Sequence, residues 1–457
     1  MLRKEFINRG EELKFLLSRY RAKGMEFIVI SGRRRTGKSR LIEEFLKDKN
    51  AIYLLCEDKK FEHNLEKFSS SISSFFAIPK TNFSSFRDCF DFIIKNYKEE
   101  KLVIAIDEFS YLAKKSEIIA EMQGIADEIL KDKNVMLLLS GSSVSLMQKE
   151  LLGYKSPLYG RTTGSIILKP LKFRFLSEWF PKTETEELIK IYSCTNGIPK
   201  YLEFFSGMGT EKEIEANLFN PNSFLFREMR ELLAEELRNV GLYQQLLEAI
   251  ASGKNKVVEI ANACYMNAKD IPAYLNILSE LGFVSKVYPL FGTGKKGTYI
   301  ISDNYTKFWF RFVSRYFAEI DSGNDVNAVS AFRRDYNTYM GSIFEDLMLN
   351  LALEGYNMPI KPTKIGRWWH KDKEIDIVAL NDTTKEILFA ECKWQEKVNA
   401  EKIVKELAEK SKFVDWNLGK RKESYAVFAK SFSKRIEEFE GKKVWCFDIK
   451  DLERVLK

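Results

Sequence analysis

Eight residues near the start of the chain have the spacing of a phosphate-binding loop. Residues 32–39 fit the pattern G-x-x-x-x-G-K-[ST] in full. In such a loop, backbone N–H groups surround phosphate oxygens, and the N-terminus of the following helix adds a favourable dipole. Lys38 would reach the β- and γ-phosphates, and the Ser39 hydroxyl would ligate Mg²⁺. The candidate nucleotide contacts are Gly32, Arg33, Arg34, Arg35, Thr36, Gly37, Lys38 and Ser39.

Two consecutive carboxylates, Asp107 and Glu108, follow the apolar segment 102–106. In open α/β sheets the carboxyl ends of the strands face the ligand. Asp107 would hold the Mg²⁺ shell, and Glu108 would polarise the attacking water. A helix N-cap could explain Asp107 alone, but it does not explain an Asp-Glu pair after an apolar strand. The pair therefore predicts nucleoside triphosphate hydrolysis.

Two further polar residues in this half of the chain are candidates with open alternatives. Ser140 ends an apolar strand and could sense the γ-phosphate, although a serine-rich turn explains it as well. Arg161 lies on a short loop before the last strand. It could act as a finger toward the nucleotide of a neighbouring subunit, or it could be a structural arginine.

Three charges in the last third of the chain, Asp376, Glu391 and Lys393, lie in two apolar segments joined by a polar turn. Side chains alternate between the faces of a strand, so Glu391 and Lys393 share a face. A turn centred on Thr383 and Thr384 would place Asp376 opposite Glu391. The sequence therefore predicts that the three charges converge.

Such a convergence would suit metal-dependent phosphodiester cleavage. Two carboxylates bind Mg²⁺ through hard oxygen atoms, and a lysine can stabilise charge on the attacking water or on the phosphorane. Glu345, beside the apolar face of a helix predicted over residues 341–353, is a third candidate ligand. The alternatives are a folded relic without activity and an ordinary solvent-exposed hairpin face.

The elements that must position these residues alternate along the first half of the chain. Apolar runs at residues 27–30, 51–56, 102–106, 135–141 and 165–171 alternate with helix-like segments. This βαβ repetition predicts a parallel sheet. Residues 172–235 are rich in helix formers and are interpreted as a helical lid.

Residues 236–325 read as three helices, a β-hairpin and a connecting helix, which is the order of a winged-helix domain. The third helix carries one basic residue, Lys269, next to Asp270, whereas Lys295 and Lys296 lie at the wing. This distribution favours protein contact or weak backbone binding over sequence-specific DNA reading. Residues 330–457 are predicted to form a separate domain.

Several segments, in order, resemble the archaeal-type ATPase family, a branch of the P-loop ATPases near the AAA+ and signal-transduction groups. They are "FINRGEEL", the phosphate loop, "AIDEF", "LLLSGSS", "YGR" and "LKPL". The resemblance implies a core over residues 1–171 with strand order 5-1-4-3-2. It also implies base or ribose contacts from Phe6 and Arg9, and a lid segment in which Pro199 opens a helix facing the nucleotide.

The segments "GRWW", "EIDIVAL" and "ECKW" resemble the uncharacterised C-terminal domain that often accompanies these ATPases. The D-x(n)-E-x-K arrangement after an acidic helix resembles the restriction-endonuclease-like superfamily. These resemblances imply an α/β fold of that type for the last domain, with nuclease-type chemistry at its hairpin.

Composition sets the remaining expectations. The 457 residues carry a net charge of +8, which is compatible with a nucleic-acid partner and equally with a lysine-rich surface kept for solubility. The six cysteines form no CxxC pair, so a reduced, cytoplasmic protein is expected. No apolar run approaches the ~20 residues of a membrane helix, so no membrane partner is expected.

Together these features predict an ATPase with ATP and Mg²⁺ as cofactors, whose nucleotide state is coupled to a nuclease-like domain. The partners expected are nucleic acid, DNA in the first place, and further copies of the chain. The alternative is a signalling or scaffold ATPase whose C-terminal domain binds nucleic acid or protein without cleaving it.

Overall fold

The computed structural model describes residues 6–291, 297–356 and 358–456. The chain divides into two compact units. The first comprises Met1–Leu171 and Ile198–Lys200, and the second comprises Lys172–Gly197 and Tyr201–Lys457. Within the described ranges, no helix is both long enough and apolar enough to span a bilayer.

The first unit is built on a five-stranded parallel sheet. Its strands are β1 (Glu26–Ser31), β2 (Ala51–Leu55), β3 (Leu102–Asp107), β4 (Val135–Gly141) and β5 (Gly164–Ile167). Their order is β2-β3-β4-β1-β5, which is the predicted order read from the opposite edge. Strands β1, β3 and β4 are buried at every residue, as expected for strands covered by helices on both faces. The predicted strand order is confirmed.

The helices of this unit cover the two faces of the sheet. They are α1 (Gly10–Arg21), α2 (Lys38–Leu46), α3 (Phe61–Phe75), α4 (Phe86–Asn96), α5 (Ser116–Gly124) and α6 (Val144–Met147). The apolar residues Leu41, Ile42 and Phe45 of α2 are buried at helical spacing. They pack into the same cluster as Ile28 and Ile30 of β1, which fixes α2 directly behind the phosphate loop.

The second unit begins with helices and then adds a hairpin. The helices are α7 (Leu176–Trp179), α8 (Thr185–Thr195), α9 (Pro199–Leu202, whose first two residues group with the first unit), α10 (Thr210–Leu218), α11 (Phe224–Glu236), α12 (Val240–Ala251), α13 (Val257–Ala263) and α14 (Ile271–Glu280). The antiparallel strands β6 (Val284–Val287) and β7 (Thr298–Ile301) follow. The last three helices and this hairpin follow in the predicted order, and their assignment as a winged-helix domain stays a prediction. Lys295 and Lys296, predicted at the tip of the hairpin, lie outside the described residues.

A long helix joins the middle of the chain to the C-terminal sheet. After α15 (Asn304–Phe308) and α16 (Phe317–Asp321), α17 runs over Val326–Leu353, 28 residues. Only its last part, residues 341–353, was expected to be helical, and the predicted boundary at residue 330 falls inside it. The helix starts earlier because Ala328, Phe332 and Tyr336 are buried at helical spacing.

Helix α17 contacts structure on both sides of that boundary. The Tyr339 hydroxyl donates to the carbonyl oxygens of Ser193 at 2.6 Å and of Asn304 at 3.2 Å. Farther along, the Phe344 ring packs on Trp394, with 5.4 Å between centroids. The helix therefore packs on α8 and α15 as well as on the C-terminal sheet.

The C-terminal sheet has six strands in the order β14-β15-β12-β10-β9-β8. The remaining elements are β8 (Lys364–His370), β9 (Lys373–Asn381), β10 (Glu386–Lys393), β11 (Val398–Asn399), α18 (Ala400–Ser411), β12 (Lys422–Ala429), β13 (Phe432–Lys434), β14 (Glu438–Phe439), β15 (Lys442–Phe447) and α19 (Ile449–Leu456). Strands β9 and β10 pair antiparallel, with Ile377 opposite Ala390. This register is the one set by a turn centred on Thr383 and Thr384, so the predicted hairpin is confirmed.

Candidate nucleotide site and candidate metal centre

Two glycines allow the phosphate loop to form between β1 and α2. A Cβ on Gly32 would lie 2.5 Å from the Leu168 carbonyl oxygen, so no other residue fits there without a shift of the backbone. Gly37 has φ of 93°, in the left-handed region that glycine tolerates best. The loop therefore closes tightly and enters the helix at Lys38.

Lys38 is held inside the loop. Its side chain is buried, and the Nζ atom donates to the carbonyl oxygens of Gly32 at 3.0 Å and of Arg33 at 3.4 Å. The same Nζ lies 3.9 Å from Oε1 of Glu108. The ammonium group is thus placed between the loop and the acidic end of β3, where the sequence required it.

Asp107 ends β3 and is fully buried. One carboxylate oxygen accepts from the Tyr53 hydroxyl at 2.9 Å. The other accepts from the Ser140 hydroxyl and from the Glu108 backbone N–H. Burial and the neighbouring Asp107 charge raise the pKa of Tyr53, so that phenol stays a hydrogen-bond donor. Ser140 therefore orients Asp107, and its predicted role as a γ-phosphate sensor stays a prediction.

Glu108 adopts a left-handed backbone conformation with φ of 52°, which turns its side chain away from the strand direction. Its Oε2 atom accepts from the Ser142 hydroxyl at 2.8 Å and from the Ser142 N–H at 3.2 Å. Sequence reasoning missed Ser142 as a site residue. The sequence signal for Ser142 was the serine-rich run at the end of β4, because β4 lies next to β3 in the sheet.

A cleft of about 410 Å³ adjoins Glu108. Its lining residues come from the phosphate loop, the end of β2 and the segment after β3. They are Arg34, Arg35, Leu55, Cys56, Glu57, Asp58, Glu108 and Tyr111. The Arg34 guanidinium donates to the Tyr111 hydroxyl at 2.8 Å. Two loop arginines thus face the acidic end of the sheet, and this volume is within the usual range of a small-molecule pocket.

The remaining nucleotide candidates are Arg9, Phe6 and Pro199. Arg9 is buried, which lowers the pKa of its guanidinium, and it donates to the carbonyl oxygens of Thr36 at 3.1 Å and Lys169 at 2.6 Å. Phe6 packs at the margin of the cluster that contains the residues of α2. Pro199 begins α9. Arg9 therefore braces the loop through backbone contacts, and nucleotide contact by these three residues stays a prediction.

Arg161 is held by a carboxylate. Its Nε and Nη2 atoms donate to the two oxygens of Asp127, each at 2.7 Å, and Nη1 donates to the Pro157 carbonyl. Such a two-point pair has specific geometry, although at this exposed position it is worth at most about 1 kcal/mol. A finger role would require the guanidinium to leave Asp127.

We expect Arg161→Met to lower ATP turnover while leaving ATP affinity unchanged, because a finger stabilises only the transition state. Asp127→Asn weakens the grip on the guanidinium and should leave turnover at the wild-type level or above. The measurements are steady-state hydrolysis and equilibrium nucleotide binding over a range of protein concentrations. If both single variants and the double variant lose the same amount of turnover, and wild-type activity does not depend on protein concentration, Arg161 and Asp127 form a structural ion pair.

In the C-terminal sheet, Asp376 lies within β9 and Glu391 within β10, one position beyond Ile377 and Ala390, the last residues paired between the two strands. Both carboxylates are buried. Asp376 accepts from the Cys392 backbone N–H at 2.8 Å. Burial, then the charges of Glu391 and Glu345, raise the pKa of Asp376 to about 8. The predicted convergence of the hairpin carboxylates is present in the structure.

Both oxygens of Glu391 are occupied by lysines. Lys393 Nζ contacts Oε2 at 2.9 Å, and Lys410 Nζ of α18 contacts Oε1. Lys393 was predicted at this site and Lys410 was not. Spacing within the hairpin cannot reveal Lys410, because α18 reaches the site only through its packing on the sheet.

Glu345 approaches the same site from α17. Burial raises the pKa of its carboxyl group, and its charge is felt by Asp376. Arg367 Nη1 lies 3.7 Å from Glu345, and Nη2 donates to Asp346 at 2.8 Å. Arg367, within the "GRWW" segment, is a second site residue that sequence reasoning missed. It balances the carboxylates of α17.

The oxygen donors at the two sites can be tested against Mg²⁺, which prefers carboxylates and hydroxyls. Asp107, with the half-buried Ser39 at the start of α2, provides such donors. In the hairpin, Asp376 and Glu391 could bind a divalent cation after Lys393 and Lys410 release the oxygens of Glu391. No group of three or more His, Cys, Asp or Glu side chains arranged to hold a metal occurs in the part of the chain that the structure describes. Each site would therefore rest on two protein ligands and water.

Comparison with known proteins gives matches to both halves of the chain. A family model described as an ATPase domain predominantly from Archaea matches residues 6–205. A second model, described as archaeal and bacterial proteins of unknown function, matches residues 309–403. An uncharacterised protein of Methanocaldococcus jannaschii is 36% identical over 459 residues, covering 98% of this chain and 99% of the relative. An uncharacterised ATP-binding protein of that organism is 46% identical over 44 residues, covering 10% of this chain and 75% of the relative.

Solved structures with a similar fold include two archaeal proteins. A Walker-type ATPase of Pyrococcus abyssi is 22% identical with a TM-score of 0.46, covering 68% of this chain and 97% of that one. The ORC2 protein of Aeropyrum pernix, in its ADPNP–ADP complexes, is 14% identical with a TM-score of 0.43, covering 72% and 96%. The end-to-end relative and the matched ATPase domain lead to one conclusion: the chain belongs to the archaeal P-loop ATPase family and carries the C-terminal domain of unknown function.

Proposed function

We propose that this protein hydrolyses ATP with Mg²⁺ and couples its nucleotide state to metal-dependent phosphodiester chemistry in the C-terminal domain. The observation that carries the first part is the placement of Lys38 3.9 Å from Glu108, at the carboxyl edge of the sheet. The lysine that would bind the phosphates thereby lies next to the carboxylate that would act as the general base. Loss of hydrolysis on changing Glu108, with ATP binding retained, is the test.

Each residue of the loop side has a distinct role in this proposal. Lys38 would exchange its carbonyl partners for phosphate oxygens, a stronger interaction because both groups are charged. Glu108, held by Ser142, would accept a proton from the attacking water. Mg²⁺ at Ser39 and Asp107 would neutralise charge on the β- and γ-phosphates. Arg9 and Phe6 would contact the base or ribose, and Pro199 would open a helix that faces the nucleotide.

The second part rests on the hairpin. Asp376 and Glu391 are both buried, and two close carboxylates repel unless a cation or a proton lies between them. A divalent ion there would activate water and stabilise charge on a phosphate. Lys393 would contact that phosphate, and Glu345 would complete the acidic surface. We propose nucleic acid as the substrate, DNA in the first place, with further copies of the chain as partners. We also propose a cytoplasmic location, which the six unpaired cysteines support.

A second candidate function is favoured by the two lysines on Glu391. If they hold that carboxylate permanently, the site binds nucleic acid or protein without cleaving it, and the protein is a signalling or scaffold ATPase. The discriminating assay uses full-length protein with DNA or RNA, with Mg²⁺ or Mn²⁺, and with or without ATP. Cleavage that disappears in Asp376→Asn supports the nuclease, and binding without cleavage in both proteins supports the scaffold.

We expect Asp376→Asn to keep or slightly raise the stability of the metal-free protein and to abolish its stabilisation by Mn²⁺. The variant removes an acid whose ionised form is disfavoured by burial and by the charge of Glu391, and it also removes one of the two ligands. Thermal unfolding of full-length protein with and without MnCl₂ measures both effects. A large loss of stability in the variant, without any metal effect in the wild type, would contradict the metal site.

Because the pKa of Asp376 is raised, the stability of wild type and of Asp376→Asn should depend differently on pH. Between about pH 4 and pH 8 the folded carboxyl holds a proton that the unfolded one releases. The metal-free wild type should therefore lose stability as pH rises through that window, and Asp376→Asn should lose less. Chemical denaturation at pH 5 and pH 8 measures the difference.

A further inference from the structure

Helix α18 brings a lysine into the candidate metal centre from outside the hairpin. Val404 and Leu407 bury one face of the helix in the cluster that covers the C-terminal sheet. The last turn then presents Lys410, whose Nζ contacts Oε1 of Glu391. The position of this ammonium group is therefore set by the packing of a whole helix.

The charge balance explains why a lysine is needed there. The Glu391 side chain is 5% exposed and lies beside Asp376. A buried carboxylate is costly unless it is paired, and Lys393 occupies only the Oε2 side. Lys410 supplies the second cation. Its own side chain is 30% exposed, so the flexible stem can swing the ammonium group into solvent.

A divalent ion needs the same oxygen atoms that the lysines hold. Carboxylate ligands bind hard cations directly through oxygen, and the Lys410 ammonium group, 2.5 Å from Oε1 of Glu391, excludes the ion from the same approach. Lys410 and a metal ion therefore compete for Oε1 of Glu391.

We infer that Lys410 is a positioning residue that holds Glu391 when no divalent ion is bound and must release it before the ion can bind. The inference rests on the proposed metal site. It assigns to Lys410 control over the metal concentration at which the C-terminal domain becomes active.

The test is a titration of full-length protein with MnCl₂ alone, followed by thermal unfolding. Lys410→Met keeps the stem and removes the charge. It should reach half of its maximal stabilisation at an Mn²⁺ concentration about three- to tenfold below that of wild type, in keeping with the strength of one partly exposed charged hydrogen bond. Lys410→Arg retains a cation and should stay within about twofold of wild type.

The matched control is Lys412→Met. Lys412 lies two residues farther on, pairs with the exposed Glu409 and should titrate like wild type. A response in Lys410→Met where wild type has none also supports the inference. An unchanged or raised midpoint in Lys410→Met overturns the inference while leaving the metal site intact. No response in wild type or in Lys410→Met overturns the metal site and the inference with it.

Discussion

Replacing Lys38 by alanine is expected to weaken ATP binding by about 100-fold or more. The phosphates lose their main cationic partner, and each charge-assisted hydrogen bond is worth about 1.5–3 kcal/mol, with tenfold in affinity for every ~1.4 kcal/mol. The variant also removes the group that satisfies the Gly32 and Arg33 carbonyls, so the empty loop should lose order. Calorimetric titration with ATP in the presence of Mg²⁺ measures the affinity.

Lys47→Ala is the matched control, because Lys47 follows the last residue of the same helix and pairs with the neighbouring Glu44. It should bind ATP like wild type. Affinity in Lys38→Ala within a few-fold of wild type would mean that the loop does not cradle phosphate, and the nucleotide site would have to be sought elsewhere.

Replacing Glu108 by glutamine is expected to leave ATP bound and to lower turnover by about 10²–10⁴-fold, the usual contribution of a general base. The amide still fits the space and can accept from the Ser142 hydroxyl, but it cannot take a proton from water. Single-turnover hydrolysis and equilibrium binding, measured on one preparation, separate the two effects.

Glu43→Gln serves as the control for this second change, since Glu43 is exposed on α2 and pairs with Arg40. Hydrolysis by Glu108→Gln at the parent rate would show that Glu108 is not the base. A loss of binding equal to the loss of turnover would instead assign Glu108 to holding the loop.

The sequence predicted those parts of the structure whose signals are local. The five strands of the first unit coincide with apolar runs, and the hairpin turn has polar residues placed symmetrically about its centre. Asp107 and Glu108 could therefore be placed at the end of β3, and Asp376 and Glu391 could be placed side by side from the register of the hairpin.

The partners of these residues could not be predicted in the same way. Ser142, Arg367 and Lys410 belong to other elements, and each meets its carboxylate only through tertiary packing. Asp127 likewise reaches Arg161 from a helical segment 34 residues earlier in the chain. Sequence spacing indicates which residues are neighbours within one helix or strand. It therefore identified the charged site residues, but not the residues from other elements that form ion pairs or hydrogen bonds with them.

The predicted start of α17, residue 341, is wrong for a related reason. The apolar pattern predicts a helix over residues 341–353 only, and the Asn, Asp and Thr residues within 326–340 lower helix propensity. Tertiary burial of Phe332, Tyr336 and Tyr339 outweighs this weak local preference.

The same helix determines where the chain can be cut into stable fragments and which parts of it unfold together. A fragment that begins at residue 330 would start inside α17 and expose Phe332, Tyr336 and Tyr339, an aromatic surface that favours aggregation. In the intact chain, α17 packs on α8 and α15 through Tyr339 and on the C-terminal domain through Phe344. We expect the amides along this one helix to exchange as one cooperative unit. A ligand that stabilises the hairpin site should therefore slow hydrogen exchange at the first turns of α17, where it makes no contact.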